Sequence, residues 1–317
     1  MHILDTHCDV LFKLQQAKHG KLSSPEPIRF WDSEELQVNL ERMKAGQVKV
    51  QLFAIFIDPL VPSDQTWPAA LEQIDLFHKE ILEPHPEIKW ITSWDQVASL
   101  KEGEIGAGLT LEGGEAFGND FVKLRTLYRL GVLALGLTWN QANLLADGAR
   151  EPREAGLTLL GKEVVRANHQ HGVLTDVSHL SERGFWDVME LTDRVFASHS
   201  NARALCDHPR NLTDEQIRAL IQNNGRIHVV FHPPFIKKNS DTASIADLMK
   251  HIDHICSLGG EKHLGFGSDF DGITDFVENL DDAGKYQHLI NELLRHYSEE
   301  TVKGFAYQNF LRWVNQR

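Results

Sequence analysis

Short apolar runs rich in β-branched residues alternate with longer amphipathic stretches along almost the whole chain. In the amphipathic stretches apolar residues recur every three or four positions, which is the spacing of one helix face, as between Leu71 and Ile81 and between Ile245 and Ile255. The short runs are typical of buried strands. We predict eight strands, at residues 3–9, 48–57, 105–112, 131–138, 173–178, 194–198, 226–231 and 263–268.

The regular alternation of strand and helix predicts parallel strands joined by crossover helices. Eight such units favour a closed (β/α)8 TIM barrel, of the α/β class, over an open doubly wound sheet. A ninth apolar run, Lys89–Thr92, has no place in such a barrel and is assigned to an accessory segment. Stretches with proline at residues 23–27 and 59–62 predict accessory loops. The apolar spacing from about Ser298 to Gln316 predicts a C-terminal helix packed on the outside.

Length and composition limit the class of protein. The chain has 317 residues, 42% of them hydrophobic, so residues 1–317 are expected to form one domain around a single core. The formal net charge of −13 argues against nucleic acid and anionic membrane surfaces as partners.

The two termini and the cysteines indicate a cellular setting. The N-terminus does not resemble a signal peptide, no stretch is long and apolar enough to span a bilayer, and the C-terminus lacks the apolar tail of an anchor signal. The three cysteines form no CxxC pair, which argues for reduced thiols and against a thiolate zinc site. We therefore expect a cytoplasmic protein that acts on a small molecule.

Five candidate metal ligands stand where predicted strands end. His7 and Asp9 are two positions apart, so their side chains face the same side of the first strand and can meet at one ion. Glu112, His179 and His199 end three other strands. Alone, a His-x-Asp pair is more often hydrogen-bonded than metal-bound, but all strand ends of a barrel converge at its mouth. Five nitrogen and oxygen ligands without sulfur suffice for two ions of zinc, manganese or cobalt in a catalytic site.

Other polar residues follow the later strands. Asp269 comes directly after the eighth strand and could take a proton during hydrolysis and deliver it to a leaving amine. Asp271 is interpreted as a loop carboxylate that caps a turn. Arg210 could hold a substrate carboxylate through its planar fork, although spacing alone favours a surface position. His232, which ends the seventh strand, is left without an assigned role.

In their order and spacing these residues resemble those of the membrane (renal-type) dipeptidases, a zinc dipeptidase family with many soluble bacterial members. The resemblance covers nearly the whole chain. It is carried by the segments Asp5–Asp9, Leu111–Gly114, Asp176–His179, Ser198–Ser200, Arg210–Asp214 and Gly267–Gly272.

The resemblance implies a barrel with two zinc ions, in which Glu112 binds both. The other four ligands divide into two pairs, His7 with Asp9 and His179 with His199. It further implies that a hydroxide bridging the ions attacks the amide carbonyl.

The resemblance also assigns residues to the substrate. Arg210 matches the arginine that holds the substrate carboxylate, and Asp269 matches the acidic residue that handles the proton. The chain departs from the animal members at Trp139, where they carry a histidine that contacts the substrate. Tryptophan can still donate a hydrogen bond, but its bulk would reshape the pocket.

These observations predict a metallo-dipeptidase that cleaves dipeptides with a free C-terminal carboxylate, including those with a D-residue at that position. Trp139 motivates an alternative, a binuclear-metal amidohydrolase for a non-peptide amide, lactone or cyclic substrate. A third hypothesis, a metal-binding barrel that has lost catalysis and serves as a scaffold, is disfavoured by the presence of Asp269. A homodimer is expected from the resemblance alone.

Overall fold

The structure is a computed structural model that describes residues 1–22 and 27–316. Of the loop predicted at residues 23–27, only Pro27 is therefore among the described residues. Within them, nine parallel strands form one sheet and two short strands pair separately. The strands are β1 (Ile3–Asp5), β2 (Val48–Phe56), β3 (Ile88–Ile91), β4 (Ile105–Glu112), β5 (Val132–Gly136), β6 (Leu174–Asp176), β7 (Val195–Ala197), β8 (Arg226–Val229), β9 (Ala243–Ser244), β10 (Leu264–Phe266) and β11 (Val277–Glu278).

Eight of the strands close into a barrel. Around the ring they follow one another as β1, β2, β4, β5, β6, β7, β8 and β10, and β10 pairs with β1 through Phe266 and Asp5. β2 pairs directly with β4, from Val50 opposite Gly106 to Phe56 opposite Glu112, so the ring passes from β2 to β4 without β3 between them. The predicted TIM barrel is confirmed.

The ninth run is a strand of the same sheet that stands outside the ring. β3 pairs with the first half of β4, from Ile88 opposite Ile105 to Ile91 opposite Gly108. β5 pairs with the second half of β4, from Leu109 onward. One edge of β4, which has eight residues, therefore pairs first with β3 and then with β5. This pairing gives the accessory strand β3 its position.

Amphipathic helices connect the strands and cover the barrel. The helices predicted around Leu71–Ile81 and Ile245–Ile255 are confirmed, and the first continues into a π-helical turn at Phe77–Leu82. None of the helices in the described ranges is long and apolar enough to cross a membrane. The α-helices are α1 (Val10–Lys18), α2 (Leu40–Gly46), α3 (Thr66–Leu76), α4 (Phe121–Arg129), α5 (Leu159–His171), α6 (Glu182–Met189), α7 (Asp214–Gln222), α8 (Pro233–Ile236), α9 (Ile245–Ser257), α10 (Tyr286–His296), α11 (Glu299–Lys303) and α12 (Asn309–Asn315).

The predicted C-terminal helix is present, as α11, a π-helical turn and α12, but it lies across the amino end of the barrel. Phe310 and Trp313 of α12, 2% and 1% exposed, pack in one cluster with apolar side chains from five barrel strands. Asn309 binds the first residues of two strands, because its carbonyl accepts a hydrogen bond from Arg226 and its amide donates to the carbonyl of Leu264. The prediction of outside packing was wrong because these aromatic side chains fill the end of the barrel interior.

Candidate active site

All eight residues predicted for the site lie at the carboxyl end of the barrel. They end a strand or follow one: His7 and Asp9 after β1, Glu112 at the end of β4, Trp139 after β5, His179 after β6, His199 and Arg210 after β7, and Asp269 after β10. Six of them line one cavity of about 740 Å³, while His7 and His199 are buried beneath it at 2% and 1% exposure. The structure therefore brings together residues from six different strands.

A buried carboxylate ties the ends of two strands on which ligands stand. Asp5 accepts hydrogen bonds from the backbone N–H of His7, at 3.2 Å, and from the N–H and hydroxyl of Ser268, at 2.9 and 2.7 Å. His7 and Asp9 then face the same side, as their spacing predicts, with His7 Nε2 3.4 Å from Asp9 Oδ2. Asp269, next to Ser268, points at the same imidazole, with Oδ1 3.8 Å from His7 Nε2.

Glu112 lies between the imidazole of His7 on one side and those of His179 and His199 on the other. Its Oε1 lies 2.7 Å from His179 Nε2 and 3.7 Å from His199 Nε2, while its Oε2 lies 3.9 Å from His7 Nε2. The His179 and His199 Nε2 atoms are 2.9 Å apart, so both aim at one point. Each carboxylate oxygen thus faces a different part of the cluster, which is the arrangement of a carboxylate able to bind two ions.

The donor atoms fit divalent metal ions. Ligand atoms of His7, Glu112 and His199 lie within 4.8 Å of one another, and so do those of His7, Asp9 and Asp269. Among the described residues, the buried His7 Nε2 and Asp9 Oδ1 have no hydrogen-bond partner. Because an unpaired buried polar atom costs free energy, these atoms call for a ligand such as a metal ion.

The pKa values of the cluster indicate that added positive charge would stabilise it. Burial raises the pKa of Glu112 and of Asp9, and raises that of Asp269 to about 8. Burial also opposes protonation of His7, but Glu112 and Asp9 outweigh it and raise the pKa of His7 to about 10. Three buried carboxylates are therefore held where their charge is poorly compensated by the protein.

The other two imidazoles are held neutral and oriented. Burial lowers the pKa of both His179 and His199 well below the usual value. The Nδ1 of His179 lies 3.2 Å from Asn140 Oδ1, and the Nδ1 of His199 lies 2.6 Å from Ser198 Oγ, which in turn donates to Asp176 Oδ2 at 2.5 Å. Partners at Nδ1 leave Nε2 free to bind a metal. Sequence reasoning assigned no role to Asn140, Ser198 or Asp176, although Ser198 directly precedes the ligand His199.

Arg210 is buried beside this cluster, at 2% exposure, and not on the surface. Its Nη1 donates to the carbonyl of Ser178, and its Nη2 donates to the carbonyl of His199 at 3.3 Å. The same Nη2 lies 3.0 Å from His179 Nε2. Burial lowers the pKa of Arg210 to about 10, so it remains charged at neutral pH. The cavity therefore has a cation directly beside a candidate metal ligand.

Trp139 and His232 form part of the cavity wall. The indole of Trp139 packs edge-on against Phe56, with ring centroids 5.2 Å apart, and lies 6.4 Å from the His179 ring. His232 packs against Phe235 at 4.6 Å, and burial lowers its pKa to about 4. His232, which the sequence left unassigned, is thus a neutral wall residue.

Asp271 has a different environment from Asp269, two positions before it. Its two carboxylate oxygens accept the backbone N–H groups of Gln37 and Val38, both at 2.9 Å, and it pairs with Lys13 at 3.2 Å. It therefore fixes the segment ahead of α2, in agreement with its interpretation as a loop carboxylate.

Comparison with known proteins places this geometry in context. Residues 1–317 match the model of a family described as membrane dipeptidase, peptidase family M19. A protein of Schizosaccharomyces pombe described as an uncharacterized dipeptidase is 33% identical over 98% of this chain and 79% of its own length. A dipeptidase of Aspergillus oryzae is 32% identical over 89% of this chain and 71% of its own. The crystal structure of a metallo peptidase from Rhodobacter sphaeroides, liganded with a phosphinate mimic of L-Ala-D-Ala, superposes with a TM-score of 0.91 at 25% identity over 99% of both chains.

Proposed function

The chain belongs to the membrane dipeptidase family, peptidase family M19, and on that premise we propose that it hydrolyses dipeptides with two zinc ions bound at the mouth of its barrel. The family makes it a metallo-dipeptidase; the identity and number of its metal ions are our proposal. The observation that carries the proposal is Glu112, whose two oxygens face His179 and His7 separately. The proposed ligands are His7, Asp9, Glu112, His179 and His199.

The pairs divide as the geometry suggests. His7 and Asp9, 3.4 Å apart, would hold one ion, and His179 with His199 would hold the other, with Glu112 reaching both. When bound, zinc would polarise the peptide carbonyl and lower the pKa of water enough to supply a nucleophile at neutral pH. The nitrogen and oxygen donors also suit manganese and cobalt, so metal analysis decides the identity.

The protein's own residues would bind the substrate and move its proton. Arg210 would hold the C-terminal carboxylate through its fork. Because Arg210 Nη2 lies 3.0 Å from His179 Nε2, this contact would place the scissile amide, one residue away, over the ligand cluster. Asp269, 3.8 Å from His7 Nε2, would accept the proton of the attacking water and deliver it to the leaving amine.

We extend the proposal to dipeptides with a D-residue at the C-terminal position. The Rhodobacter sphaeroides protein is liganded with a mimic of L-Ala-D-Ala, which supports testing both configurations at that position. The D-isomers belong in the same substrate panel as the L-isomers.

The first test is metal content together with hydrolysis of a mixed L,L and L,D dipeptide library before and after chelation. We expect two equivalents of zinc and cleavage that is lost on chelation and restored by zinc. Glu112→Gln should lose both metal and activity, whereas Glu115→Gln, a partly buried residue three positions later and outside the ligand cluster, should keep both. Activity that survives chelation or Glu112→Gln contradicts the proposal.

Trp139 supports a second candidate function. Its indole lines the cavity and packs against Phe56, at the position where the animal members of the family carry a smaller histidine. The alternative is a binuclear-metal amidohydrolase acting on a non-peptide amide, lactone or cyclic substrate. Two bound metals with turnover of such compounds and no cleavage of any dipeptide would select it.

Three further predictions concern the whole molecule. We propose a single domain over residues 1–317, a cytoplasmic location and a homodimer. One cooperative unfolding transition, cell fractionation and light scattering of the purified protein test them in turn.

A further inference from the structure

Arg150 lines the same cavity, on the long loop between β5 and α5, and was not singled out in the sequence. Its backbone N–H donates to the carbonyl of Asn140 at 2.9 Å, and the N–H of Ala149 donates to the carbonyl of His179 at 2.7 Å. The loop is thus held by backbone hydrogen bonds to one candidate ligand and to the residue that orients it. Arg150 is therefore placed by the same structure that places the ligands.

The charge of Arg150 has no partner within the described ranges 1–22 and 27–316. The other cations of the cavity do have partners: Lys13 pairs with Asp271 at 3.2 Å, and Arg210 donates to two backbone carbonyls. On the same loop, Arg153 forms hydrogen bonds with Asp147, 2.5 to 3.1 Å long. Of the two loop arginines, the one at the cavity is exposed and without a counter-ion, so its guanidinium is free to pair with an anionic ligand.

Arg150 lines the cavity together with Arg210 and His232. Burial and then the positive charge of Arg150 lower the pKa of His208 to about 4, and the Nδ1 of His208 accepts the backbone N–H of Arg210 at 3.2 Å. Burial also lowers the pKa of His232, which lines the cavity, to about 4, so this imidazole is neutral as well. The cavity therefore presents two guanidinium groups beside the neutral imidazole of His232, in a chain whose net charge is −13.

We propose that this dipeptidase selects dipeptides whose C-terminal residue is acidic, with the α-carboxylate on Arg210 and the side-chain carboxylate of Asp or Glu on Arg150. The inference rests on the proposed function. The two carboxylates of one residue are close together, and both cations line the same cavity. An acidic N-terminal residue would instead approach the carboxylates of Asp9 and Asp269 and be repelled.

The test compares substrates that differ only in charge. With the metal-loaded full-length protein, kcat/KM is measured for Ala-Glu against Ala-Gln and Ala-Asp against Ala-Asn, with the second residue in both configurations. We expect the acidic member of a pair to be favoured at least about tenfold, the size of one charge-assisted contact. Arg150→Gln should lower kcat/KM for the acidic member about tenfold more than for the amide. Arg166→Gln, on the exposed side of α5, serves as the matched control and should leave the ratio unchanged.

A binding measurement reads the site without turnover. Calorimetry on the same protein should show free glutamate binding more tightly than glutamine, with the difference lost in Arg150→Gln at unchanged metal content and melting temperature. No preference in the wild type, or an equal loss for both members of a pair in Arg150→Gln, overturns the inference while leaving the dipeptidase proposal intact. No cleavage of any dipeptide contradicts the proposed function instead, and the glutamate measurement then decides whether the anion site exists.

Discussion

At the amino end of the barrel, Phe310 and Trp313 pack against each other and against Phe196, with ring centroids 5.6 to 6.3 Å apart. At the carboxyl end of the same strands, Glu112 and the imidazoles around it are also buried, yet their polar atoms face one another and two such atoms in the cluster have no hydrogen-bond partner among the described residues. Side chains are buried at both ends, but only at the amino end are they apolar rings packed against one another.

The two ends of the barrel contribute with opposite sign to the free energy of folding. Apolar packing at the amino end stabilises the ring, since each buried aromatic side chain adds apolar contact area and carries no ionisable group. At the carboxyl end, burial raises the pKa of three carboxylates, which means that their charged forms oppose folding until a ligand arrives. Apolar packing at the amino end therefore offsets the destabilisation that the buried charges cause at the carboxyl end.

The sharpest way to test this contrast is Glu112→Gln. We expect activity to fall by roughly three orders of magnitude, because the residue that reaches both proposed ions loses its charge. In the chelated protein, however, the free energy of unfolding at pH 7 should be equal or higher, since a buried charge has been removed. Chemical denaturation with and without chelator measures this. If the chelated variant is clearly less stable than the chelated wild type, the charge of Glu112 does not destabilise the metal-free protein and the contrast between the two ends is wrong.

The converse change is Phe310→Ala at the amino end. We expect the free energy of unfolding to fall by about 3–5 kcal/mol, the cost of removing a fully buried ring, while the folded fraction keeps its metal content. Denaturant titration and metal analysis of the same sample are the measurements. Leu311→Ala, a neighbouring and only partly buried position, should cost much less. Loss of metal at constant stability would mean that the two ends are coupled.

A smaller effect is expected for the supports of the ligands. Ser198→Ala removes the hydroxyl that lies 2.6 Å from His199 Nδ1, and the zinc dissociation constant should rise about 10- to 100-fold. Ser198→Thr keeps the hydroxyl and should retain most of the affinity. Competition against a chromophoric chelator reads both values independently of activity. Equal affinities in the two variants would show that the hydrogen bond does not orient the imidazole.

The smallest effect is expected at the cavity wall. Trp139→His should change the ratio of kcat/KM between dipeptides with large and small C-terminal side chains by severalfold, about 1 kcal/mol, because the wall recedes from the substrate. Trp139→Phe retains most of the bulk and should stay near the wild type. Metal content and melting temperature should not move in either variant, and a loss of metal would show that Trp139 supports the ligands.

The sequence predicted those features that depend on periodicity and on strand ends. The spacing of His7 and Asp9 fixed their common direction, and a barrel makes every strand end converge, so the cluster followed from local pattern. Arg150 was not predicted as a site residue, because its position depends on hydrogen bonds from a long loop to Asn140 and His179. The sequence pattern does not specify the path of such a loop. Likewise the apolar spacing of the C-terminal helix predicted its buried face but not the partner for that face.

The hydrogen bonds of Asp5 to Ser268 join β1 to β10, across more than 260 residues of chain. Because parallel pairing at such sequence separation is slow, the seam between these strands is expected to close late in folding. All five proposed metal ligands precede Ser268 in the chain, so they are synthesised before the residue that completes this seam. Because Asp5 binds the backbone N–H of His7 and is itself bound by Ser268, we expect a chain whose ring is still open to retain metal less well.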